Sequence, residues 1–401
     1  MTSRIETDVC VIGAGPVGGT LACLLAEQGV RTAVIDQQAL PPMEHPHFDG
    51  RAYAIAAGSR AVLEQAGLWE HLPYKPGPIR DIRVSDGKVG RPASPMFLHF
   101  DSAEVGAEAF GWMVEARALR MAINARLNAR ADLHVFAPAE AAVMRQSEGA
   151  VVTLADGREI ATRLVVAAEG RHSKLRQQAG IAVTRFGYGQ TGIVCAVAHD
   201  LPHHGTALEH FLPAGPFAQL PMSGTEGAPH LSALVWTERD VVARRLLAID
   251  DASFAREAQR RMGHHLGEIR LLGRRWSYPL SALHAHRWTD TRLALIGDAA
   301  HGIHPIAGQG LNLGFRDIAA LAGLVSAAVA AGEDPGASSL LKRYQAARRP
   351  DTLLMLAATD GLDRLFSSDN PALRLARDLG LAAVQRMPRL KQMFMRRAMG
   401  A

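Results

Sequence analysis

Two glycine-rich turns, nearly the whole chain apart, constrain this sequence more than any other feature. The first, Gly13-Ala14-Gly15-Pro16-Val17-Gly18, follows a short buried-strand pattern at residues 9–12. The second region comprises Gly297-Asp298-Ala299-Ala300-His301, then His304-Pro305, then Gly308-Gln309-Gly310-Leu311-Asn312. It follows the apolar run 293–296 and opens an apolar helix. One such turn points to a dinucleotide. Two point to a single large cofactor gripped at both ends by one domain.

The first turn sits in a strand–helix–strand order. Residues 20–28 read as a helix stopped by Gly29, and 30–35 as the next strand, ending at Asp36. In that context Gly13 makes the tight turn, Gly15 lets backbone approach a pyrophosphate, and Gly18 lets helix and strand pack closely. Helix N-terminal amides then face the phosphates. Asp36 stands where an acid takes a pair of ribose hydroxyls. The pattern alone does not separate FAD from NAD. A nicotinamide dehydrogenase continues with further strand–helix units, whereas here a polar, proline-containing segment (37–49) leads to Gly50-Arg51. Arg51 is placed to meet pyrophosphate, or a substrate entering from another domain. The alternative is a surface arginine capping a loop.

The middle of the chain changes character. Strands are expected at 79–84, 97–100 and 112–115, a helix at 117–127, and a strand at 133–136. Short strands at 139–144, 150–154 and 159–161 surround the hairpin signal Asp156-Gly157. A buried strand at 164–168 ends in Glu169-Gly170. Segments 188–198, 207–212, 217–221 and 231–236 are rich in Val, Phe and Leu, with turn residues between them, and read as an antiparallel sheet. A helix at 252–266 and a strand at 276–280 follow. The expected fold class is α/β with an α+β insert: a Rossmann-type domain from 1–70, 111–180 and 286–360, an antiparallel-sheet substrate domain from 71–110 and 181–285, and a helical C-terminal region at 361–401.

Several function classes find no support. Ser223-Gly224 lacks the strand and helix flanks of a nucleophile elbow, and no Ser-His-Asp or Cys-His set stands out. Cys10, Cys23 and Cys195 lie in apolar surroundings without short mutual spacing, which reads as buried free thiols rather than disulfides or a zinc site. The pairs His203-His204 and His264-His265 lack a ligand set, so no metal is expected. The chain has 401 residues, 48% of them apolar. No apolar run is expected to approach the roughly 18 residues that span a bilayer. The polar lead 1–8 lacks the features of a secretory signal, so the expected location is cytoplasmic.

The net charge of +5 is unevenly placed: from Arg374 to Ala401 there are seven Arg or Lys residues and one acid, Asp378, interleaved with Leu, Val, Met and Phe. Such a segment suits an anionic membrane or a partner helix, or simply forms a terminal helix with a solvated basic face. Nucleic acid is not expected, because no aromatic-plus-basic platform accompanies the charge.

In the late region Asp298 is placed to hold a ribityl hydroxyl. Gly308, Gly310 and the amides around Leu311 and Asn312 are placed to receive an electron-rich ring edge, with a helix N-terminus favouring negative charge there. Five glycines between 297 and 314 are costly unless something must approach closely.

The residues from His304-Pro305-Ile306-Ala307-Gly308-Gln309-Gly310-Leu311-Asn312-Leu313-Gly314 to Arg316-Asp317 resemble a signature of the flavoprotein aromatic monooxygenases of the para-hydroxybenzoate hydroxylase type. Within these, the chain most resembles the ubiquinone-biosynthesis hydroxylases. Asp49-Gly50-Arg51 with residues 54–59, and the segment 165–176, match two further family regions, and the resemblance covers residues 5–360. Glu169 stands where relatives carry aspartate, and Ala116 where many carry a polar residue. The resemblance implies FAD, with Gly13, Gly15 and Gly18 at the pyrophosphate and Asp36 at the adenosine ribose. It implies Arg51 and Arg117 at the phosphates or flavin edge, and Glu169 at nicotinamide or pyrophosphate. It further implies Gly297 and Asp298 at the ribityl chain, and Gly308, Gln309, Gly310, Leu311 and Asn312 along the isoalloxazine. No protein acid–base residue is implied; His304, beside the flavin loop, is a candidate for tuning charge.

The implied reaction is ring hydroxylation by NAD(P)H and O2 through a flavin C4a-hydroperoxide. The implied substrate is a polyprenylated phenol or benzoquinol precursor of ubiquinone. The basic tail then offers a route to the inner face of a membrane or to a complex of pathway enzymes. A hydroxylase of soluble aromatic substrates and a non-catalytic FAD-binding scaffold are the alternatives. Ring position, electron donor and oligomeric state stay open.

Overall fold

The computed structural model describes residues 4–40, 49–87, 89–90, 97–304, 306–366, 377, 380 and 384–400. Two large sheets and one small sheet carry the chain. The first has a parallel core in the order β18 (Leu293–Leu295), β11 (Glu159–Ala167), β1 (Ile5–Ile12), β2 (Thr32–Ile35) and β8 (Leu133–Phe136). Val9, Cys10, Val11, Val165 and Val166 have no exposed surface. Such unbroken apolar runs, without in–out alternation, require cover on both faces. Part of that cover is α1 (Pro16–Glu27), which packs against both α3 (Ala116–Ala129) and α7 (Gln309–Ala330). The hairpin β9 (Ala141–Arg145) and β10 (Ala150–Leu154) extends the sheet antiparallel from β11, and β17 (Thr289–Asp290) closes the other edge.

The second sheet runs in the order β19 (His301–Gly302), β16 (Ile269–Ala285), β12 (Val183–His199), β15 (Leu231–Arg239), β14 (Gly215–Met222), β13 (Thr206–Leu212), β5 (Asp81–Asp86) and β6 (Leu98–Asp101). All its pairs are antiparallel except β13 with β5. Side chains alternate between its faces with period two. Ile193, Cys195, Leu234 and Trp236 point to a layer that includes α5 (Asp240–Ala248) and α6 (Asp251–Met262), through residues such as Ala243, Leu246, Phe254 and Ala258. Ala196, Ala207, Met222 and Ala233 point the other way, onto Ile79 and Met113 of the small sheet. That small sheet has the order β3 (Ala52–Ala56), β7 (Gly111–Glu115), β4 (Gly77–Ile79).

Four further helices finish the fold as described. α2 (Ala57–Gln65) follows β3, and the short α4 (Lys174–Gln178) follows β11. α8 (Ser338–Phe366) begins against the first sheet through Leu340, Leu341 and Tyr344 and ends with Phe366 stacked on Phe211 of the second, ring centroids 3.9 Å apart. α9 (Pro388–Met399) lies back on the body through Met395 and Met399, beside Phe110, with Lys391 Nζ 2.6 Å from Glu104. Much of the expected tail, residues 367–376, 378–379 and 381–383, lies outside the described residues.

Several expectations need correction. The expected strand at 79–84 is two strands in two sheets. The switch is at Arg80, whose amide bonds to Gly205 as the chain crosses from β4 to β5. The expected helix at 252–266 is α6 alone; α5 precedes it, unforeseen because Val241-Val242 continues the β-branched pattern of β15. The strand expected at 276–280 is the middle of a 17-residue strand. Arg270, Arg274 and Arg275 interrupt its apolar pattern because they lie on a strand only partly covered by protein. An apolar helix of bilayer-spanning length, which the sequence reading did not expect, is present: α7, 22 residues long. Its inner face (Leu313, Phe315, Ile318, Leu321, Val325) is buried in the main core, as for the core helix of an α/β protein.

One buried carboxylate joins these layers. Asp317 on α7 has no exposed surface. It accepts from Gly297 N (3.0 Å), His301 Nε2 (2.6 Å) and Arg348 Nε (2.9 Å). Removing one partner of such a buried pair leaves an uncompensated charge, at a cost of about 3–5 kcal/mol. Asp317→Asn is expected to lose stability on that scale in urea unfolding; a loss under about 1 kcal/mol, the range of an exposed ion pair, would show that the junction is incidental.

Candidate cofactor and substrate site

The first glycine turn folds as its spacing requires. Gly13 has φ +104°, and a Cβ there would lie 2.5 Å from the Ala168 carbonyl oxygen at the end of β11. A Cβ on Gly18 would lie 1.9 Å from Gly13 O, so helix and turn meet with no room for a methyl group. Gly15 differs: nothing lies within 4 Å of an added Cβ. It caps α1, so the amides of the first helical turn face that open side. Asp36, at the end of β2, accepts from Ala14 N (2.7 Å) and Gln38 N (2.9 Å), which fixes its carboxylate beside the turn.

The two expected arginines are placed differently. Arg51 pairs with Asp49 (2.6 Å) and lies over Trp276 of β16, 4.2 Å from the ring centroid. Trp276 Nε1 donates to the Asp49 carbonyl (2.6 Å), so the segment leading into β3 docks on the second large sheet. Arg117 pairs with Glu115 (2.6 Å) and lies over Tyr74. The arginine of α3 that reaches the glycine turn is Arg120, whose Nη1 donates to Ala14 O at 2.5 Å. Sequence reasoning missed it. The available signal was its place one turn before Ile123, the residue against which Gly19 packs. Glu169 accepts from Ser173 Oγ (2.6 Å) and Leu175 N (3.1 Å), which ties its carboxylate to the start of α4.

The late region packs against the first turn. Gly297 has φ +55° and packs on Val17 of α1, which brings the two glycine regions together. The Asp298 side chain is 48% exposed and pairs with Arg171 (3.1 Å), itself hydrogen-bonded to Ser281 of the second sheet. Gly308 adopts φ +62° as the N-cap of α7. Gly310, like Gly15, has open space where a Cβ would go. Leu311 packs partly against the main core, and Gln309 Nε2 lies 3.5 Å from Ala398 O of α9. Asn312 is buried, and its amide is spent on backbone: it accepts from Ala56 N and donates to Ala54 O and Gly308 O. It therefore pins β3 to the loop before α7. Pro305 lies outside the described residues.

His304 is fully buried. Its Nδ1 accepts from Ile306 N (3.3 Å), so the proton sits on Nε2, which faces Gln190 Oε1 (3.3 Å) and Asp363 (3.6 Å). Tyr188 meets its ring edge-on at 4.7 Å. Burial holds the imidazole below the usual histidine range, against the opposing pull of Asp363 and Asp360. Among the described residues no group of side chains suits a metal ion, and the three cysteines are buried, their thiols pushed up to about 12 by desolvation.

Residues 6–358 match the family model described as an FAD binding domain. The chain is 50% identical over 394 residues to ubiquinone hydroxylase UbiL of Rhodospirillum rubrum, covering 98% of this chain and 89% of that one. It is 32% identical to the 3-demethoxyubiquinol 3-hydroxylase of Escherichia coli, over the full length of both. The chain belongs to the family of FAD-dependent ubiquinone hydroxylases. Its fold is shared with the solved FAD-dependent monooxygenase PqsL of Pseudomonas aeruginosa, with a TM-score of 0.75 at 24% identity over 94% of this chain and 100% of that one. The residues present fit the family's FAD: the N-termini of α1 and α7 each have open space at a glycine, Gly15 and Gly310, and Gly297 packs on Val17 of α1.

Two glycine substitutions should therefore separate. Gly18→Ala is expected to disrupt the fold and lose FAD together. Gly310→Ala, at a helical position that favours Ala, is expected to keep the urea midpoint while FAD affinity falls roughly tenfold or more. Wild-type FAD affinity in Gly310→Ala would remove this position from the cofactor site.

Proposed function

We propose that this chain hydroxylates the aromatic ring of a polyprenylated phenol or benzoquinol intermediate of ubiquinone biosynthesis, using FAD, NAD(P)H and O2. The observation that carries this reading is the near full-length likeness, at 50% identity, to a protein named as a ubiquinone hydroxylase. Bound FAD supplies the redox chemistry, passing electrons from the nicotinamide to O2 so that one oxygen enters the ring and the other leaves as water.

The chain's own part is binding, orientation and exclusion of water. Gly15 and the α1 amides hold the pyrophosphate, with Asp36 at the ribose. Gly310 and the α7 amides receive the ring system, where the positive helix end favours negative charge. The second sheet, through its face toward β3 and the α7 loop, shapes an apolar chamber in which the substrate ring is held. The test is a purified, FAD-loaded protein given NADH or NADPH, labelled O2 and a 2-polyprenylphenol. One labelled oxygen in the ring product is expected. Equal turnover of an unprenylated phenol would move the reading to soluble substrates. Retained FAD with no NAD(P)H oxidation under any substrate would leave a binding scaffold.

We further propose that α9 rests on an anionic membrane surface. Met387, Met393 and Phe394 are exposed beside the exposed Arg389 and Arg396. A basic face with protruding apolar side chains suits the headgroup region. Because Met395, Met399 and Lys391 dock α9 onto the body, charge reversal is a cleaner test than truncation. Arg389→Glu with Arg396→Glu is expected to abolish co-sedimentation with phosphatidylglycerol-containing vesicles at unchanged FAD content; unchanged sedimentation ends the idea.

A further inference from the structure

The second sheet carries one carboxyl on its face toward the small sheet and the loop before α7. Along β13, Ala207, Glu209 and Phe211 share a face. Ala207 belongs to the cluster with Met113 of the small sheet, and Phe211 packs with Ile306, just ahead of α7, and with Phe366 of α8. Glu209 therefore lies between the small sheet on one side and the loop before α7 on the other. Its neighbours in register are Val84 on β5 and Ala218 on β14, both apolar. It is neither fully buried nor exposed, and it takes part in no hydrogen bond or ion pair among the described residues. A carboxyl held against apolar walls without a partner is costly, and the fold gains nothing from it.

We propose that Glu209 reads the substrate's phenolic hydroxyl: its carboxylate accepts the hydroxyl's hydrogen bond and takes the proton as the ring is presented. This rests on the reading of the chain as a hydroxylase of polyprenylated phenols. The phenol O–H bond breaks and a carboxyl O–H bond forms; the proton returns to water after product leaves. The resulting phenolate is the more electron-rich ring, which an electrophilic oxygen attacks faster. An acceptor flanked in register by Val84 and Ala218 selects a ligand with a hydroxyl donor on an apolar body.

The acidity of the group agrees with this role. Burial alone raises the Glu209 carboxyl from 4.5 to about 7. The other charged groups on this side are accounted for elsewhere: Asp86 on β5 is held by Arg377 at 2.8 Å, Asp363 on α8 faces His304 and Gln190, and Asp360 lies toward Tyr188. None contributes to the shift at Glu209. A base with its midpoint near neutrality is half ionised at working pH and accepts a proton readily.

The test compares wild type, Glu209→Gln and Glu209→Asp as FAD-loaded proteins. Ligand binding is read by the change in flavin absorbance on titration with 2-geranylphenol and with geranylbenzene, which lacks the hydroxyl. Wild type is expected to prefer the phenol by roughly tenfold or more, with kcat/KM rising as pH increases through about 7. Glu209→Gln is expected to lose the preference and the pH limb while still binding geranylbenzene. Glu209→Asp, which keeps a carboxylate, is expected to retain a pH limb with weaker binding. Because the folded-state carboxyl is raised, its favourable contribution to stability is present at low pH and lost as pH rises through about 7; Glu209→Gln should thus unfold at higher urea than wild type at pH well above that value. Phenol preference and pH limb both intact in Glu209→Gln overturn the assignment. A wild type that neither binds nor hydroxylates the prenylated phenol overturns the parent reading and this one with it.

Discussion

The structure turns on the buried carboxylate of Asp317. It takes one hydrogen bond from the turn after β18, one from His301 at the first strand of return into the second sheet, and one from Arg348 on α8. Three parts of the chain that share no backbone hydrogen-bond ladder thus meet at one atom pair. In a low-dielectric interior such a set is strong when complete and costly when broken. It holds Gly297 in its left-handed conformation against Val17, which is how the late glycine region is fixed relative to the early one. Arg348 in turn bonds to Asp351 (2.8 Å), extending the junction toward the outside of α8.

From that anchor the loop before α7 runs on to Gly308, held by contacts to both sides. His304 does not point at solvent or at an open space; it is locked by Ile306, Gln190 and Asp363, with burial keeping it neutral. It ties the loop to β12 and to α8. Asn312 does the same on the other side by stitching β3 to Gly308. Open space remains at Gly310, and Glu209 has no partner among the described residues.

Strong local periodicity was legible in the residues. The strand–turn–helix–strand of residues 9–35, the apolar strand before Glu169 and the strand at 207–212 each follow from side-chain pattern over a few residues. So did the glycine roles, since Gly13, Gly15 and Gly18 owe them to turn geometry and close approach. Elements set by partners far away were not legible: the Arg80 crossing between two sheets depends on Gly205, and the length of β16 depends on pairing with β12 along its whole run. At the first turn, the reach of Arg120 to Ala14 O was not legible, because it depends on how α3 packs through Ile123 on Gly19.

By itself the sequence determined a chain able to grip a large dinucleotide cofactor at two glycine turns, and, through its late run, the family to which it belongs. Only the tertiary structure decided which polar groups are free to act. Asp317, His304, Asn312 and Glu169 look alike on paper to Asp36 and Glu209, as polar residues near glycines or on apolar strands. The folded chain spends the first four on its own backbone and side chains, because buried donors and acceptors must be paired. It ties Asp36 beside the first glycine turn and, among the described residues, leaves Glu209 without a partner on β13, a difference set by how the elements pack that no local pattern encodes.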